Sequence, residues 1–207
     1  MRREFHVRFC EGGGVRFPSA TRLLVIFERE DDARRVLDVL PKRLAKYGLQ
    51  IHPEKTRLID FRRPDRRPAP SGVGIHRDRP ETFDLLGFTH YWAMSRKGHW
   101  VVKQKTAADR IRRAIKHTTR WCRSNRHQPV HEQWQALKRK LLGHFAYYGV
   151  IGNLRSLRAY RHRVRRAWWK WLSRRSQKSR VSWERMGRLL ERYPLPEPRI
   201  RPRLAVT

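Results

Sequence analysis

Acidic residues are scarce in this chain. Its 207 residues carry 18 Asp/Glu against 50 Lys/Arg, a formal net charge of +32 at pH 7. A chain so basic repels itself unless a polyanion neutralises it, which points to nucleic acid first and an anionic membrane second. Long apolar runs are lacking too. None approaches the roughly 20 residues needed to span a bilayer, which argues against a membrane. No apolar stretch follows the opening Met-Arg-Arg-Glu, so no secretory signal is expected. Cysteine occurs only at Cys10 and Cys122. These lie too far apart for a metal-spacing cluster and leave reduced structural thiols in a cytoplasmic protein as the expectation.

Apolar material is sufficient for a core: 39% of the residues, with 8 Trp, 6 Tyr and 8 Phe. The charge is uneven. Residues 1–60 hold 13 Lys/Arg and 9 Asp/Glu, residues 61–104 hold 9 and 4, and residues 105–207 hold 28 and 5. The C-terminal half is therefore the expected polyanion-binding half.

Residues 1–21 contain Gly12-Gly13-Gly14 and show no period, so they read as irregular or disordered. "RLLVIFE" (22–28) has the length and branching of a strand. "REDDARRVLDVLPKRLAKYG" (29–48) reads as a helix with acids in its first turn, bases in its last and Gly48 at its stop; Pro41 should weaken or kink it. "LQIHPEKTRLIDF" (49–61) reads as a strand, a Pro turn and a returning strand. Residues 62–80 form an Arg/Pro/Gly linker, and 83–104 a β-hairpin around "SRKG".

From Thr106 the period becomes helical. Helices are expected from Ala108 to Cys122, over 131–148 and over 154–174, with a shorter one at 182–192 capped by Ser182 and a Pro-rich extended tail. The fold class is thus α+β: a small antiparallel sheet with one helix, then a basic three-helix bundle. The segment "RSLRAYRHRVRRAWWKWLSRR" (155–175) has nine Lys/Arg and no acid. Candidate nucleic-acid contacts are Lys55, Arg57, Lys103, Lys105, Arg112, Arg113, Lys138, Arg139, Lys140, Arg155, Arg158, Arg161, Arg165, Arg166 and Lys170, cations able to neutralise phosphates. Trp168 and Trp171 lie on the apolar stripe and are expected in the core. Trp169 points elsewhere and is the candidate for stacking on a base.

Strand, helix, "GLQIHPEKTRLIDF", linker, "FDLLGFTHYW" and "LKRKLLGHFAYYGVIGN" (137–153), taken in that order, resemble group II intron reverse transcriptases, also called maturases. The resemblance covers about residues 22–198. It implies that 22–104 is the C-terminal part of the palm. Residues 105–175 would be the thumb, or maturase-specific domain X, which grips template–primer duplex and intron RNA. Residues 176–207 would add a short helix and the tail. Lys55 would lie in the palm motif supporting primer and nucleotide, and Leu86, Gly87 and Phe88 in the primer-grip hairpin.

The intact family enzyme is an RNA-directed DNA polymerase that uses Mg2+. Its Tyr-Ala-Asp-Asp turn holds two metal ions about 3.5–4 Å apart, just before the strand matching "RLLVIF". Here that place reads "FPSATRLLVIF", without an aspartate. Asp31 and Asp32 follow the strand and suit the positive end of the next helix. The fingers and first palm strands have no counterpart either. The expectation is a truncated reverse transcriptase/maturase with no catalytic or metal-binding residues and no cofactor of its own, binding intron RNA, with RNA–DNA duplex as a further candidate partner, in the bacterial cytoplasm or nucleoid. The alternatives are an active polymerase once a complementing N-terminal chain supplies the missing parts, or a generic basic nucleic-acid binder.

Overall fold

The computed structural model describes residues 5–10, 22–52, 56–64, 81–176 and 181–200, with the backbone alone at 5–10 and 22–23. Helix and strand are mixed, and the chain divides into two compact units, 1–103 and 104–207.

The first unit opens with β1 (Phe5–Cys10), β2 (Arg22–Phe27), α1 (Glu30–Ala45) and β3 (Arg57–Asp60). The strands make an antiparallel sheet in the order β2-β1-β3. The central strand is the first one, where an irregular segment was expected. Its sequence, Phe-His-Val-Arg-Phe-Cys, alternates apolar and polar residues at the strand period; the glycines that follow it obscured that alternation. α1 carries Glu30, Asp31 and Asp32 in its first turn and runs through Pro41. Asp31 and Asp32 are exposed there, as acids at the positive helix end should be. Ala33 is fully buried, and Val36, Leu37 and Leu40 pack with it against Val25, Phe27 and Leu58.

The expected first strand at 49–52 is reduced to a single bridge residue, Ile51. The amide of Thr56 donates to the carbonyl of His52 (3.1 Å), and β3 finds its partner in β1 instead.

A second sheet, β4 (Phe83–Leu85), β5 (Phe88–Met94) and β6 (Trp100–Thr106), has the order β4-β5-β6. One hairpin was expected over these residues; the chain makes two successive ones. The first turn is Leu86-Gly87, both with positive φ (49° and 82°), the signature of the two-residue turn whose twist matches its strands. Gly87 fits that geometry without cost, whereas Leu86 is strained. Ile59, Phe61 and Phe83 form a small core with Trp92. Phe61 meets Phe83 edge-on (4.9 Å) and stacks with Trp92 (5.6 Å), whose indole N–H donates to the Phe61 carbonyl (3.1 Å).

The second unit is helical: α2 (Ala108–Ser124), α3 (Val130–Tyr148), α4 (Leu154–Leu172) and α5 (Trp183–Arg192). Ser182 caps α5, its hydroxyl accepting from the Arg185 amide (3.3 Å). Leu137, Leu141, Leu157, Trp168 and Met186 are fully buried, with Cys122, Phe145, Tyr160, Val164, Leu172 and Leu195 in the same cluster. Burial pushes the Cys122 thiol up to about 12, so it stays an unreactive thiol. Met186 adds α5 to the expected three-helix core.

α2 and α4 run in the same direction. Asn153, before α4, accepts from the Thr106 amide (2.9 Å); the Thr118 and Tyr160 hydroxyls meet at 3.1 Å; and Arg175, after α4, donates to the carbonyl of Arg126, after α2. Buried Gln133 closes the α2–α3 loop. Its amide donates to the carbonyls of Asn125, Arg126 and Gln128, while its oxygen accepts from the Trp168 indole (2.9 Å).

Candidate nucleic-acid interface

On α4 a helical period places Arg155, Arg158, His162, Arg166 and Lys170 on one face, all exposed. From 155 to 170 the stripe is about 22 Å long at 1.5 Å per residue. α4 contains no acid. The helical unit has five Asp/Glu in all. Asp109 pairs with Arg110 and Arg113, and Glu197 with Arg161. Among the described residues, most of the remaining cations of this unit have no ion pair to a carboxylate.

Aromatic rings take part of that load. Lys138 lies over Trp134 (4.9 Å), Lys140 over Trp121 (5.5 Å) and Arg165 over Trp183 (5.8 Å). Each such contact contributes about 0.5–1 kcal/mol at an exposed site. It also holds a charged head where a carboxylate would otherwise be needed.

Several of the expected contacts have other tasks. Arg161 is turned onto the tail: its guanidinium donates to the carbonyls of Pro196 and Leu195 (both 3.1 Å) and pairs with Glu197 (2.7 Å). It clamps the tail. Trp169 is likewise not an open stacking ring. It stacks on Trp183 (4.4 Å, 18°) and donates to the Val181 carbonyl (2.8 Å). The more exposed ring of that pair is Trp183, 49% accessible. Lys103 donates to the Met94 carbonyl (2.8 Å), Arg112 to the Ala108 carbonyl (3.3 Å), and Arg113 to Asp109.

Arg139, Arg155, Arg158, Arg166 and Lys170 remain exposed on the helices, and Arg57 and Lys105 on strands. Lys55 lies outside the described residues. Leu86 is 68% exposed at its turn, Gly87 is buried and Phe88 half-buried. The sequence reading overlooked Lys116, Arg120 and Arg123, exposed on α2. Their i, i+4 and i, i+7 spacing from Arg112 and Lys116 was the available signal.

Over the described residues 193–200 the tail is a strap. Trp134 donates to the Pro194 carbonyl (2.9 Å), Leu195 is buried, and Tyr193 meets the ring of Trp134 (5.6 Å). A methyl group at Gly149 would meet the Arg199 carbonyl oxygen at 3.0 Å and that of Phe145 at 2.5 Å. The glycine therefore admits the strap beside the end of α3.

His144 sits between rings, 4.0 Å from Tyr160 and 4.6 Å from Tyr148. Burial lowers it to about 4, so it is neutral at pH 7 and adds no charge to the surface.

Among the described residues, no three His, Cys, Asp or Glu gather as metal ligands do. No helix among the described residues is long and apolar enough to cross a membrane. Compared with protein-family models, curated proteins and solved structures, the chain matches none.

Proposed function

We propose that this protein binds RNA through the outer faces of its helical unit, in the manner of the thumb of a group II intron reverse transcriptase/maturase, with the first unit standing as the C-terminal part of a palm. The observation that carries the reading is the exposed α4 stripe of Arg155, Arg158, His162, Arg166 and Lys170 on a helix without an acid. Cations in such a row neutralise successive phosphates and release their counterions. The order of the palm-like and thumb-like sequence motifs supports intron RNA as the target. The strand that would follow a catalytic aspartate pair is preceded by Pro18-Ser19-Ala20-Thr21, so binding without polymerisation is the activity proposed.

The test is affinity for a group II intron transcript, measured from low to high salt beside a random RNA duplex of equal length. Tight binding with a steep salt slope is expected. In the R155Q/R158Q/R166Q variant the log–log slope should flatten by about two to three units, roughly 0.7–0.9 per lost phosphate contact. An unchanged slope would remove the stripe from the interface. Equal affinity for intron and random duplex would leave a generic basic nucleic-acid binder. Primer extension with magnesium and deoxynucleotides would overturn the loss of polymerisation.

A further inference from the structure

At one point the cations of the helical unit converge on a ring. Trp171, in the last turn of α4, has the charged heads of Arg123, Lys170 and Arg174 at 5.7, 5.7 and 5.5 Å from its ring centre. Arg123 comes from the last turn of α2, so both parallel helices contribute. All three side chains are exposed, and none is ion-paired to a carboxylate of the described residues.

The Trp171 indole nitrogen, like Arg165 Nε and His144 Nε2 in the same unit, is buried and has no hydrogen-bond partner among the described residues. The indoles of Trp134, Trp168 and Trp169 each donate to an oxygen, at 2.9, 2.9 and 2.8 Å. Helix ends account for the cations alone, because Lys and Arg suit the negative end of a helix. They do not account for an unpaired buried donor, which native structures seldom carry without a reason. A bound anion accounts for both. It accepts from the indole N–H, and three full charges outweigh the roughly half charge at each helix end.

We propose that Trp171, Arg123, Lys170 and Arg174 form an anion site that takes one phosphate group. The indole N–H donates to one phosphate oxygen, and the long exposed cations turn by rotamer change from the ring face onto the others. That the phosphate belongs to a polynucleotide backbone rests on the RNA reading above; the chemistry of the site does not.

Indole N–H signals of the full-length 15N-labelled protein test the proposal. The chain has eight tryptophans, and the Trp171 signal is the one missing in W171F. At fixed ionic strength, inorganic pyrophosphate and then a ten-nucleotide single-stranded RNA should each shift the Trp171 signal downfield, saturably, while the Trp168 signal stays. K170Q/R174Q should weaken pyrophosphate binding at least tenfold with Trp168 unmoved, showing an intact core. W171F, which keeps a ring but loses the donor, should weaken it about tenfold, the effect of one charged hydrogen bond. A response to pyrophosphate but not to RNA keeps the anion site and overturns the polynucleotide as its source. A silent Trp171, or equal shifts at every indole, overturns the site; intact RNA binding in that case leaves the α4 stripe as the interface.

Discussion

The two units solve the same problem with different means. The first holds 13 Asp/Glu against 22 Lys/Arg, the second 5 against 28. In the first, ion pairs such as Glu30–Arg34 and Asp60–Arg62 balance charge locally, and the Arg62 guanidinium holds the Asp60 carboxyl below its usual range. Among the described residues its apolar clusters are small, and Ile26 and Val102 stand 55% and 45% exposed on strands. The second unit has one continuous core reaching from Cys122 to Leu195 and lays its cations over indoles. A large core lets a domain tolerate a surface of nearly one sign, and that tolerance is what a polyanion-binding surface requires.

The comparison breaks if the helical core is not the stronger one. Leu141→Ala or Phe145→Ala should each cost about 2–5 kcal/mol by chemical denaturation, through lost contacts and a cavity. Loss of helix signal at lower denaturant, with the sheet aromatics of the first unit unaffected, is expected; unchanged stability would place both side chains outside the core. Next in size is acid. His144 is held neutral by burial, at about 4 rather than its ordinary value. The unfolded chain takes up a proton below about pH 6.5 and the folded chain does not until about 4. Stability is therefore present above pH 6.5 and declines as the pH falls toward 4, by at most roughly 3 kcal/mol. H144F should flatten that decline, and a slope surviving in the variant would assign it to other groups.

Arg161→Met tests the strap. It removes two hydrogen bonds to tail carbonyls and an ion pair, at a cost of about 1–3 kcal/mol. Proteolysis should then clip the chain near 193–200 while the rest of the helical unit survives; an uncut tail would mean that Trp134 and Leu195 hold it alone. The smallest effect lies in the first unit. Leu86→Gly relieves a left-handed leucine at an exposed turn and should stabilise by up to about 1 kcal/mol. A destabilised variant would show that the leucine side chain, rather than the turn, matters there.

Legibility differed between the units for physical reasons. α3 and α4 start within one residue of their expected positions, because an apolar stripe at a 3.6-residue period is a local signal. Trp168 was legible as core for the same reason. β1 was missed because its six alternating residues precede a run of glycines, and a strand becomes one only when partners distant in sequence accept it. The Leu86-Gly87 turn was hidden by a leucine where asparagine or aspartate usually signals such a turn. The partners of Arg161, Trp169 and Trp171 could not be read, since they lie on other segments: Arg161 meets the tail, Trp169 meets α5, and Trp171 meets α2.

Composition and period by themselves determined that helix and strand are mixed, that the last hundred residues are cationic and helical, and which stripes are apolar. Those properties depend on neighbours a few positions away. Tertiary structure alone decided which strand is central, which cations face solvent and which bind the protein's own carbonyls, and which indole N–H lacks a partner. A hydrogen bond or a stacked ring joins groups tens of residues apart, and only the folded chain brings them within reach.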